Sequence, residues 1–360
     1  MADKKISQLT ELTSANAATD FLPVVDTSAV QTKKIALANL PMSDAAIEQS
    51  YPYTTDFTSG VERTRNLTTI DTSAGFSGGP VQSVYIGSNV TSIGSNGFNY
   101  CPNLTSIIIP DSVTSIGSSA FYYCTSLTSA TIGNGVTSIG NAVFTNCTAL
   151  TSVTIGNSVT SIGVGMFNGC SSLSSIIIPD SVTSIGSNAF TYCTSLTSIA
   201  IPDSVTSIGS SAFRSCSSLT SVTIGNGVTS IGSDAFNYCS SLTSITIGNG
   251  VTSIGSSAFF YCLSLTSITI PDGVTSIGSF AFYNCSSLTS ITIPDSVTSI
   301  GSRAFYNCSS LATINCLATT APTLAGSGQF NSVAATDIHV PVGATGYGTT
   351  YGGLTVVADL

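Results

Sequence analysis

The 360-residue chain contains no tryptophan and a single histidine, and charged residues make up only 7% of it. Six of its eight Lys and Arg residues lie before residue 66, so the rest of the chain carries very little positive charge. A protein that binds double-stranded nucleic acid needs a basic surface to neutralise the phosphates. Because the net charge is −9, we expect no nucleic-acid partner.

Long apolar segments are also missing. The mean hydropathy is +0.42, yet no uninterrupted apolar run approaches the roughly 20 residues of a membrane-spanning helix. Lys4 and Lys5 are not followed by the apolar stretch of a secretory signal peptide. The sequence therefore predicts neither membrane insertion nor a signal peptide.

Signals for catalysis are scarce. A serine or cysteine nucleophile needs a general base, and the single histidine, His339, has only Asp337 as an acidic residue beside it in the sequence. No G-x-G-x-x-G phosphate loop occurs, because the glycines recur singly. We expect neither an enzyme nor a cofactor, and a site made of carboxylates alone stays an open alternative.

Most of the chain is instead a 23-residue unit. It begins at Val81 and recurs ten times to Ser310 without insertion or deletion, and its clearest copy, residues 288–310, reads LTSITIPDSVTSIGSRAFYNCSS. We call each copy a rung and number its positions from 1 to 23, so that rung 1 is residues 81–103 and rung 10 is residues 288–310. A fixed period of this length is typical of a solenoid, because one unit cannot bury its apolar side alone.

The pattern inside the unit predicts a short strand in each rung. Ile291 and Ile293, at positions 4 and 6, are spaced as residues on one face of a strand. The following Pro-Asp-Ser or Gly-Asn-Gly predicts a corner, after which a second extended piece follows. The segment Ser-x-Ala-Phe-x-x-Cys then predicts one helical or 3₁₀ turn. The predicted fold is a mostly β repeat solenoid.

Ten of the eleven cysteines occupy position 21, and Cys316 is in register with Ile293. Equivalent side chains on strands about 4.8 Å apart run parallel, whereas a disulfide needs Cβ atoms nearer about 3.8 Å. We therefore predict buried free thiols that act as small apolar residues, rather than a disulfide framework. Cysteine and histidine also lack the paired spacing of a zinc site.

Aspartates at the corners are the remaining candidates for metal binding. Asp180 and Asp203, and likewise Asp272 and Asp295, belong to neighbouring rungs, and stacked carboxylates can hold Ca²⁺. An aspartate at a corner more commonly caps the turn, and several rungs have a neutral asparagine there. We expect no metal.

The spacing L-x-x-I-x-I-P-x-x-V-x-x-I-G-x-x-A-F-x-x-C resembles the BspA-type leucine-rich repeat, a family of surface and adhesive proteins of bacteria and some protozoa. The resemblance covers residues 81–316. Residues 314–322, followed by Ile338-His339-Val340-Pro341, are similar to the closing rung of such domains. The resemblance implies a leucine-rich repeat solenoid with a binding or adhesive role.

Residues 1–40 contain two short alternating runs, around FLPVV and KIAL, that predict strands. Together with the preceding KISQLT, they resemble the amino-terminal segment of bacteriophage tail-fibre and other virion structural proteins. The resemblance implies that this segment joins other virion or tail proteins; a plain β-hairpin is the alternative. The residues implied in virion attachment are Ile6, Leu9, Leu22, Val24, Val25, Lys33, Lys34, Ile35 and Leu37.

The sequence thus divides into a virion-attachment segment (1–40), a linker and amino-terminal cap (41–80), the solenoid (81–316) and a carboxyl-terminal cap (317–360). In the first cap we expect Leu67, Ile70 and Phe76 to be buried, and a short helix over residues 43–49. In the second cap we expect a loop over residues 321–335 and a final strand. That strand carries Ile338, Val340 and Val342, and it precedes residues that fold over the last core layer: Tyr347, Tyr351, Leu354 and Val356.

Positions 16, 19 and 20 vary from rung to rung and are rich in tyrosine. Tyrosine with serine, glycine and asparagine is typical of adaptable recognition surfaces, and rows of rings also suit sugar faces. Rings that only pack on each other, or that form an oligomer contact, are the alternatives. The candidate ligand-binding residues are Tyr100, Tyr122, Tyr123, Tyr192, Arg214, Tyr238, Phe260, Tyr261, Phe280, Tyr283, Arg303 and Tyr306.

These observations predict a non-enzymatic phage virion structural protein, a tail fibre or receptor-binding adhesin, which presents its solenoid to a host glycan or envelope protein. It would be assembled in the host cytoplasm and located on the virion, and the fibre resemblance implies a homotrimer. The alternatives are a capsid decoration or architectural tail component, and a bacterial cell-surface adhesin.

Overall fold

The computed structural model describes residues 61–63, 69–70, 76–79 and 81–360. In these ranges the chain forms a β-solenoid without helices, whose rungs stack through parallel strands. Twelve phenylalanines, from Phe76 to Phe330, mark about twelve turns. The predicted fold class is confirmed, and the stacking extends on both sides of residues 81–316.

One side of the solenoid, the long-strand wall, is built by positions 3 to 6. Alternate residues point inward, so that Ile291 and Ile293 are buried while Ser290 and Thr292 are exposed. Partners lie 23 residues apart, as in Ser221 opposite Ser244. The strands are Val61–Arg63, Ser83–Tyr85, Ser106–Ile109, Ser129–Ile132, Ser152–Thr154, Ser198–Ile201, Ser221–Ile224, Ser244–Thr246, Ser290–Ile293, Thr313–Cys316, Asp337–Val340, Thr350–Tyr351 and Leu354–Ala358.

A second side, the short-strand wall, is built by positions 12 and 13, a serine and an isoleucine that is buried in nine of the ten rungs. It follows the corner at positions 7 to 9, as the sequence predicts. Its strands are Thr69–Ile70, Ser92–Ile93, Ser115–Ile116, Ser138–Ile139, Ser161–Ile162, Ser184–Ile185, Ser207–Ile208, Ser230–Ile231, Ser253–Ile254, Ser276–Ile277, Ser299–Ile300 and Thr323–Leu324.

The third side, which we call the turn ridge, contains positions 14 to 23. The predicted helical or 3₁₀ turn is wrong here: positions 16 and 20 have positive φ, between 52° and 74°, in all ten rungs. Two left-handed residues per rung prevent a continuous right-handed helical turn. Instead the amides of positions 16, 18 and 20 donate to carbonyls of the next rung, as Phe213 does to Ala235.

Stacked phenylalanines fill the core beneath the turn ridge. Neighbouring ring centroids from Phe76 to Phe330 are 5.0 to 5.7 Å apart, and all but the first pair lie within 18° of parallel. Such pairs contribute about 0.5–1.5 kcal/mol beyond the burial of their area. The 23-residue period keeps the rings from Phe98 to Phe305 in one column, and Phe76 and Phe330 join its ends at spacings of 22 and 25 residues.

The cysteine column lies beside the phenylalanine column. All eleven thiols are free and buried, which confirms the prediction. The ten at position 21 are more than apolar fillers, because each S–H donates to the phenylalanine carbonyl of the preceding rung, with Sγ to oxygen distances of 2.8 to 3.2 Å. Burial raises the pKa of the Cys239 thiol from 9.0 to about 12, so it stays protonated at neutral pH.

Threonines at positions 2 and 11 also join the rungs. The Thr128 hydroxyl donates to the Thr105 carbonyl at 2.9 Å, and the Thr252 hydroxyl donates to the Thr229 carbonyl at 3.0 Å. The same carbonyls accept the amides of Thr128 and Thr252. These hydroxyls therefore reinforce the stack.

Both ends of the described solenoid are closed by apolar residues. Ile70 and Phe76 are fully buried, as predicted. At the other end Phe330 extends the phenylalanine column, so the predicted loop over 321–335 is partly wrong: it contains the strand Thr323–Leu324. The predicted final strand is observed as Asp337–Val340, but Val342 is 75% exposed and lies outside it, and the strands Thr350–Tyr351 and Leu354–Ala358 follow it, contrary to the prediction. The residues that pack on the last layer, as predicted, are Tyr347, Tyr351, Leu354 and the partly buried Val356.

Several predictions fall outside the described residues. They concern the virion-attachment segment, the helix over residues 43–49 and the burial of Leu67. Nowhere in the described ranges does a helix occur with the length and apolarity of a transmembrane span.

The buried thiols predict a loss of stability at alkaline pH. The pKa of Cys239, like that of Cys193 and Cys216, is higher in the folded chain than in the unfolded one. For Cys239 the resulting stabilisation is complete below about pH 9 and is lost as the pH rises toward 12. Each thiol ionised only in the unfolded state costs about 1.4 kcal/mol per pH unit. Urea denaturation between pH 8 and about 11 measures how the free energy of unfolding depends on pH. Cys239→Ala removes one ionisable thiol and should reduce this dependence by up to about 1.4 kcal/mol per pH unit. An unchanged dependence would contradict the raised pKa of Cys239.

Candidate functional site

All twelve candidate residues lie on the turn ridge, at positions 16, 19 and 20. The ladder through positions 16, 18 and 20 fixes the backbone that carries them. The side chains nevertheless do not form one continuous row. Ten of the twelve are brought together in two clusters, and the other two lie between these clusters.

The carboxyl-terminal cluster spans rungs 7 to 10 and is organised around Tyr283. Its ring stacks on Phe260 at 4.9 Å and 16° and on Tyr306 at 5.0 Å and 4°. Tyr261 and Phe280 contact the same ring at 6.1 and 5.8 Å. Most of these rings are half-buried, so they pack on one another and still keep part of their surface in solvent. The members are Tyr238, Phe260, Tyr261, Phe280, Tyr283, Arg303 and Tyr306.

Arg303 supplies the positive charge of this cluster. Its guanidinium carbon lies 5.9 Å from the centroid of Phe280 and 5.8 Å from that of Tyr306. These distances are within reach of a cation–π interaction, which contributes about 0.5–1 kcal/mol at an exposed site. The side chain is exposed, and the described residues place no carboxylate within ion-pair distance of it. The guanidinium is therefore able to donate hydrogen bonds to an acceptor group of a bound ligand.

The amino-terminal cluster spans rungs 1 and 2 and contains Tyr100, Tyr122 and Tyr123. Tyr100 stacks on Tyr123 at 5.2 Å and 16° and meets Tyr122 edge-on at 5.7 Å. Tyr100 and Tyr123 are 53% and 37% exposed. Burial, followed by the neighbouring phenols Tyr123 and Tyr100, raises the pKa of Tyr122.

Tyr192 and Arg214 occupy rungs 5 and 6, between the two clusters. Their backbones are joined, since the Tyr192 amide donates to the Arg214 carbonyl at 2.9 Å. Tyr192 is 50% exposed and contacts no other ring among the described residues. At position 20 its neighbours along the ridge are Gly169 and Ser215, so small residues flank the ring.

The conformation of position 20 was not anticipated from the sequence. Five tyrosines occupy it with φ between 54° and 61°, namely Tyr100, Tyr123, Tyr192, Tyr238 and Tyr261. A left-handed conformation costs a bulky residue roughly 1–2 kcal/mol, and it persists only where the surroundings impose it. Asn and Gly hold the same position in other rungs and tolerate the conformation better. Their recurrence at positions 16 and 20 is the signal that could have revealed it.

His339 lies in the carboxyl-terminal cap, away from the turn ridge. Its Nδ1 is 2.9 Å from Oδ1 of Asp359, and its Nε2 is 3.5 Å from Oδ1 of Asp337. Asp337 is the acid beside His339 in the sequence, and folding also brings in Asp359, 20 residues away. Within the described residues no serine, threonine or cysteine side chain bonds to this imidazole.

Three corner aspartates, Asp111, Asp203 and Asp295, accept backbone hydrogen bonds from the next rung. Asp203 Oδ1 lies 2.6 Å from the amide nitrogen of Asn226, and Asp295 Oδ1 lies 3.0 Å from that of Thr319. Asn226 acts in the same way on Asn249 at 3.0 Å. These side chains therefore join neighbouring rungs, where the sequence predicts caps of the turns that carry them. Across the described ranges no three His, Cys, Asp or Glu side chains are grouped as metal ligands.

Comparison with known families identifies the repeat. The model described as "BspA type Leucine rich repeat region (6 copies)" matches residues 45–174, 137–265 and 252–348. These segments together span well over half of the chain. No curated protein sequence matches.

Three solved bacterial structures illustrate the similarity. A leucine-rich repeat protein from Bacteroides ovatus is 28% identical over 83% of this chain and 84% of that one, with a TM-score of 0.62. A leucine rich cell surface protein from Faecalibacterium prausnitzii is 33% identical over 69% and 80%, with a TM-score of 0.36. The T. pallidum leucine-rich repeat protein is 30% identical over 48% and 82%, with a TM-score of 0.45.

The strain at position 20 predicts that Tyr192→Asn leaves the fold intact and raises its free energy of unfolding by up to about 1 kcal/mol. Asparagine adopts the left-handed conformation at lower cost, and the ring of Tyr192 contributes no ring stacking. Tyr192→Val should lower the same free energy by about 1–2 kcal/mol, because a β-branched residue tolerates positive φ poorly. Urea denaturation of both variants tests the prediction. Equal changes in the free energy of unfolding for the two substitutions would contradict it.

Proposed function

Because the chain belongs to the BspA-type leucine-rich repeat family, we propose that it is a non-enzymatic recognition protein whose turn ridge binds a glycan or protein on a cell surface. The proposal names the two aromatic clusters, with Tyr192 and Arg214 between them, as the contact surface. Family and fold support this role, because leucine-rich repeat proteins are generally binding or adhesion proteins without catalytic activity.

The observation that carries this proposal is the exposed aromatic surface on a rigid support. Tyr238 remains 43% exposed although it stacks on Tyr261, and Arg303 lies against rings that are themselves half-buried. Tyrosine and arginine dominate the energetics of binding surfaces, and a preorganised backbone lowers the entropy cost of association. The ladder of the turn ridge provides that preorganisation.

Residues 1–40 support display on a bacteriophage particle, as a tail fibre or receptor-binding adhesin. They lie outside the described residues, and their resemblance to virion attachment segments carries this part of the proposal. The segment would join other virion or tail proteins, and the ridge would then face the host envelope. A homotrimer follows from the same resemblance.

A bacterial cell-surface adhesin is the second candidate. The family match and the similarity to a Bacteroides ovatus leucine-rich repeat protein favour it. The recognition surface would be the same in both cases, and only the carrier differs. An architectural role, as a capsid decoration or tail spacer, is the outcome if the ridge binds nothing.

Recognition by the ridge is tested with the double variant Tyr261→Ala, Tyr283→Ala of the full chain. Binding of the unsubstituted chain to a glycan array and to bacterial cells should weaken at least about tenfold in the variant, because two contact rings are lost. The control Thr131→Ala, Thr223→Ala changes exposed residues of the long-strand wall. Circular dichroism verifies that each variant is folded. Equal binding by both variants would contradict a role of the ridge.

Immunolabelling with antibodies against the full chain tests whether a phage particle or a bacterial cell displays the protein. If the virion assignment is correct, the antibodies decorate purified phage particles, and deletion of residues 1–40 prevents incorporation into the particle. Labelling confined to the surface of bacterial cells would contradict it and favour the second candidate.

A further inference from the structure

The long-strand wall opens at two places. Residues 175–178 in rung 5 and 267–270 in rung 9 pair with neither neighbouring strand, whereas every other rung of the wall does pair. Within the described residues, the peptide groups of 267–270 make no backbone hydrogen bond to rungs 8 or 10. The core is slightly uncovered beside this opening, since Ile245 and Ile268 are each 8% exposed while Val222 is 3% exposed.

The hydrogen bonding of the corner aspartates differs at the same two rungs. Asp111, Asp203 and Asp295 each accept the backbone amide of the next rung. Asp180 and Asp272, in rungs 5 and 9, accept none in the described part of the chain. The Asp272 carboxylate is thus left to solvent at the edge of the opening.

A cavity of about 410 Å³ lies at the rung 9 opening. Its hydroxyls come from Ser267, Thr269, Ser290 and Thr292, and the Asp272 carboxylate and the apolar Leu317 also line it. Ile268 and Ile270 line it as well. The volume is within the range of roughly 300–1,000 Å³ that is common for small-molecule sites.

The chemistry of the lining fits a neutral compound with many hydroxyl groups. Four side-chain hydroxyls can both donate and accept, and the unpaired peptide groups add further donors and acceptors. Leu317, 39% exposed, offers an apolar surface for the C–H face of a sugar ring. Asp272 disfavours an anionic ligand, and no positive charge lines the cavity to offset it.

Rung 5 shows which part of this lining is special. It has the same opening, but Ile177 and Ala200 replace Thr269 and Thr292 at position 5, and Ile177 is 84% exposed. The opening alone therefore does not create a hydroxyl-lined site. The chain supplies a natural pair of apolar residues at matched positions.

We propose that the rung 9 cavity binds a neutral saccharide of one or two rings, held by Thr269, Thr292 and the unpaired peptide groups, with its apolar face on Leu317. This site goes beyond the proposed function, because it belongs to the long-strand wall and shares no residue with the turn ridge. Its ligand would bind independently of whatever the ridge contacts.

The test is saturation-transfer NMR and calorimetry on the full chain, with glucose, galactose, mannose, N-acetylglucosamine, maltose and cellobiose as probes. At least one probe should bind the unsubstituted chain. The variant Thr269→Ile, Thr292→Ala introduces the residues of rungs 5 and 6 and should weaken that binding about tenfold or more, because hydrogen-bond partners are lost. The matched control Thr223→Ile, Thr246→Ala, in the paired part of the wall, should bind as the unsubstituted chain does.

Three results would overturn the proposal: no probe binds, the rung 9 variant binds as tightly as its control, or glucuronic acid binds as tightly as glucose. The ridge variant Tyr261→Ala, Tyr283→Ala should keep the binding of the probe. If the probe binds and only the rung 9 variant loses it, the proposal stands even where the ridge recognises nothing.

Discussion

Each rung buries its apolar side only against the rungs above and below it, and the rest of the structure depends on this constraint. The constant 23-residue period places phenylalanine on phenylalanine and cysteine beneath the preceding phenylalanine carbonyl. At the two ends the column also accepts spacings of 22 residues, from Phe76 to Phe98, and of 25 residues, from Phe305 to Phe330. Two strand walls and the ladder of the turn ridge then pair the backbone on all three sides.

The same constraint decides where binding can occur. The core of the described residues consists of buried rings, aliphatic side chains and thiols, so most polar side chains that could contact a ligand lie on the outside. Variation between rungs is tolerated on the outside, at positions 16, 19 and 20 of the turn ridge and at position 5 of the long-strand wall. Exposed aromatic rings on the ridge and hydroxyls on the wall are two chemically different results of that freedom.

Backbone pairing is not uniform along the solenoid. The turn ridge keeps its ladder through rungs 5 and 9, while the long-strand wall opens there. The stacked phenylalanines continue without interruption through both places, at 5.3 Å between Phe167 and Phe190 and 5.2 Å between Phe259 and Phe282. Strand pairing on one side can therefore be absent while the core stays continuous, because the short-strand wall and the turn ridge still connect the rungs.

The sequence by itself determined the rung, its inward residues, its free thiols and the set of variable positions, because all of these follow from the period and from burial on one side. Only the tertiary structure decided the left-handed residues of the ridge, the S–H donors, the division of the candidate residues into two clusters and the contact of His339 with Asp359. These features depend on distances between different rungs. A repeat pattern shows which residues are equivalent, but the stacking of the rungs sets how close their atoms come.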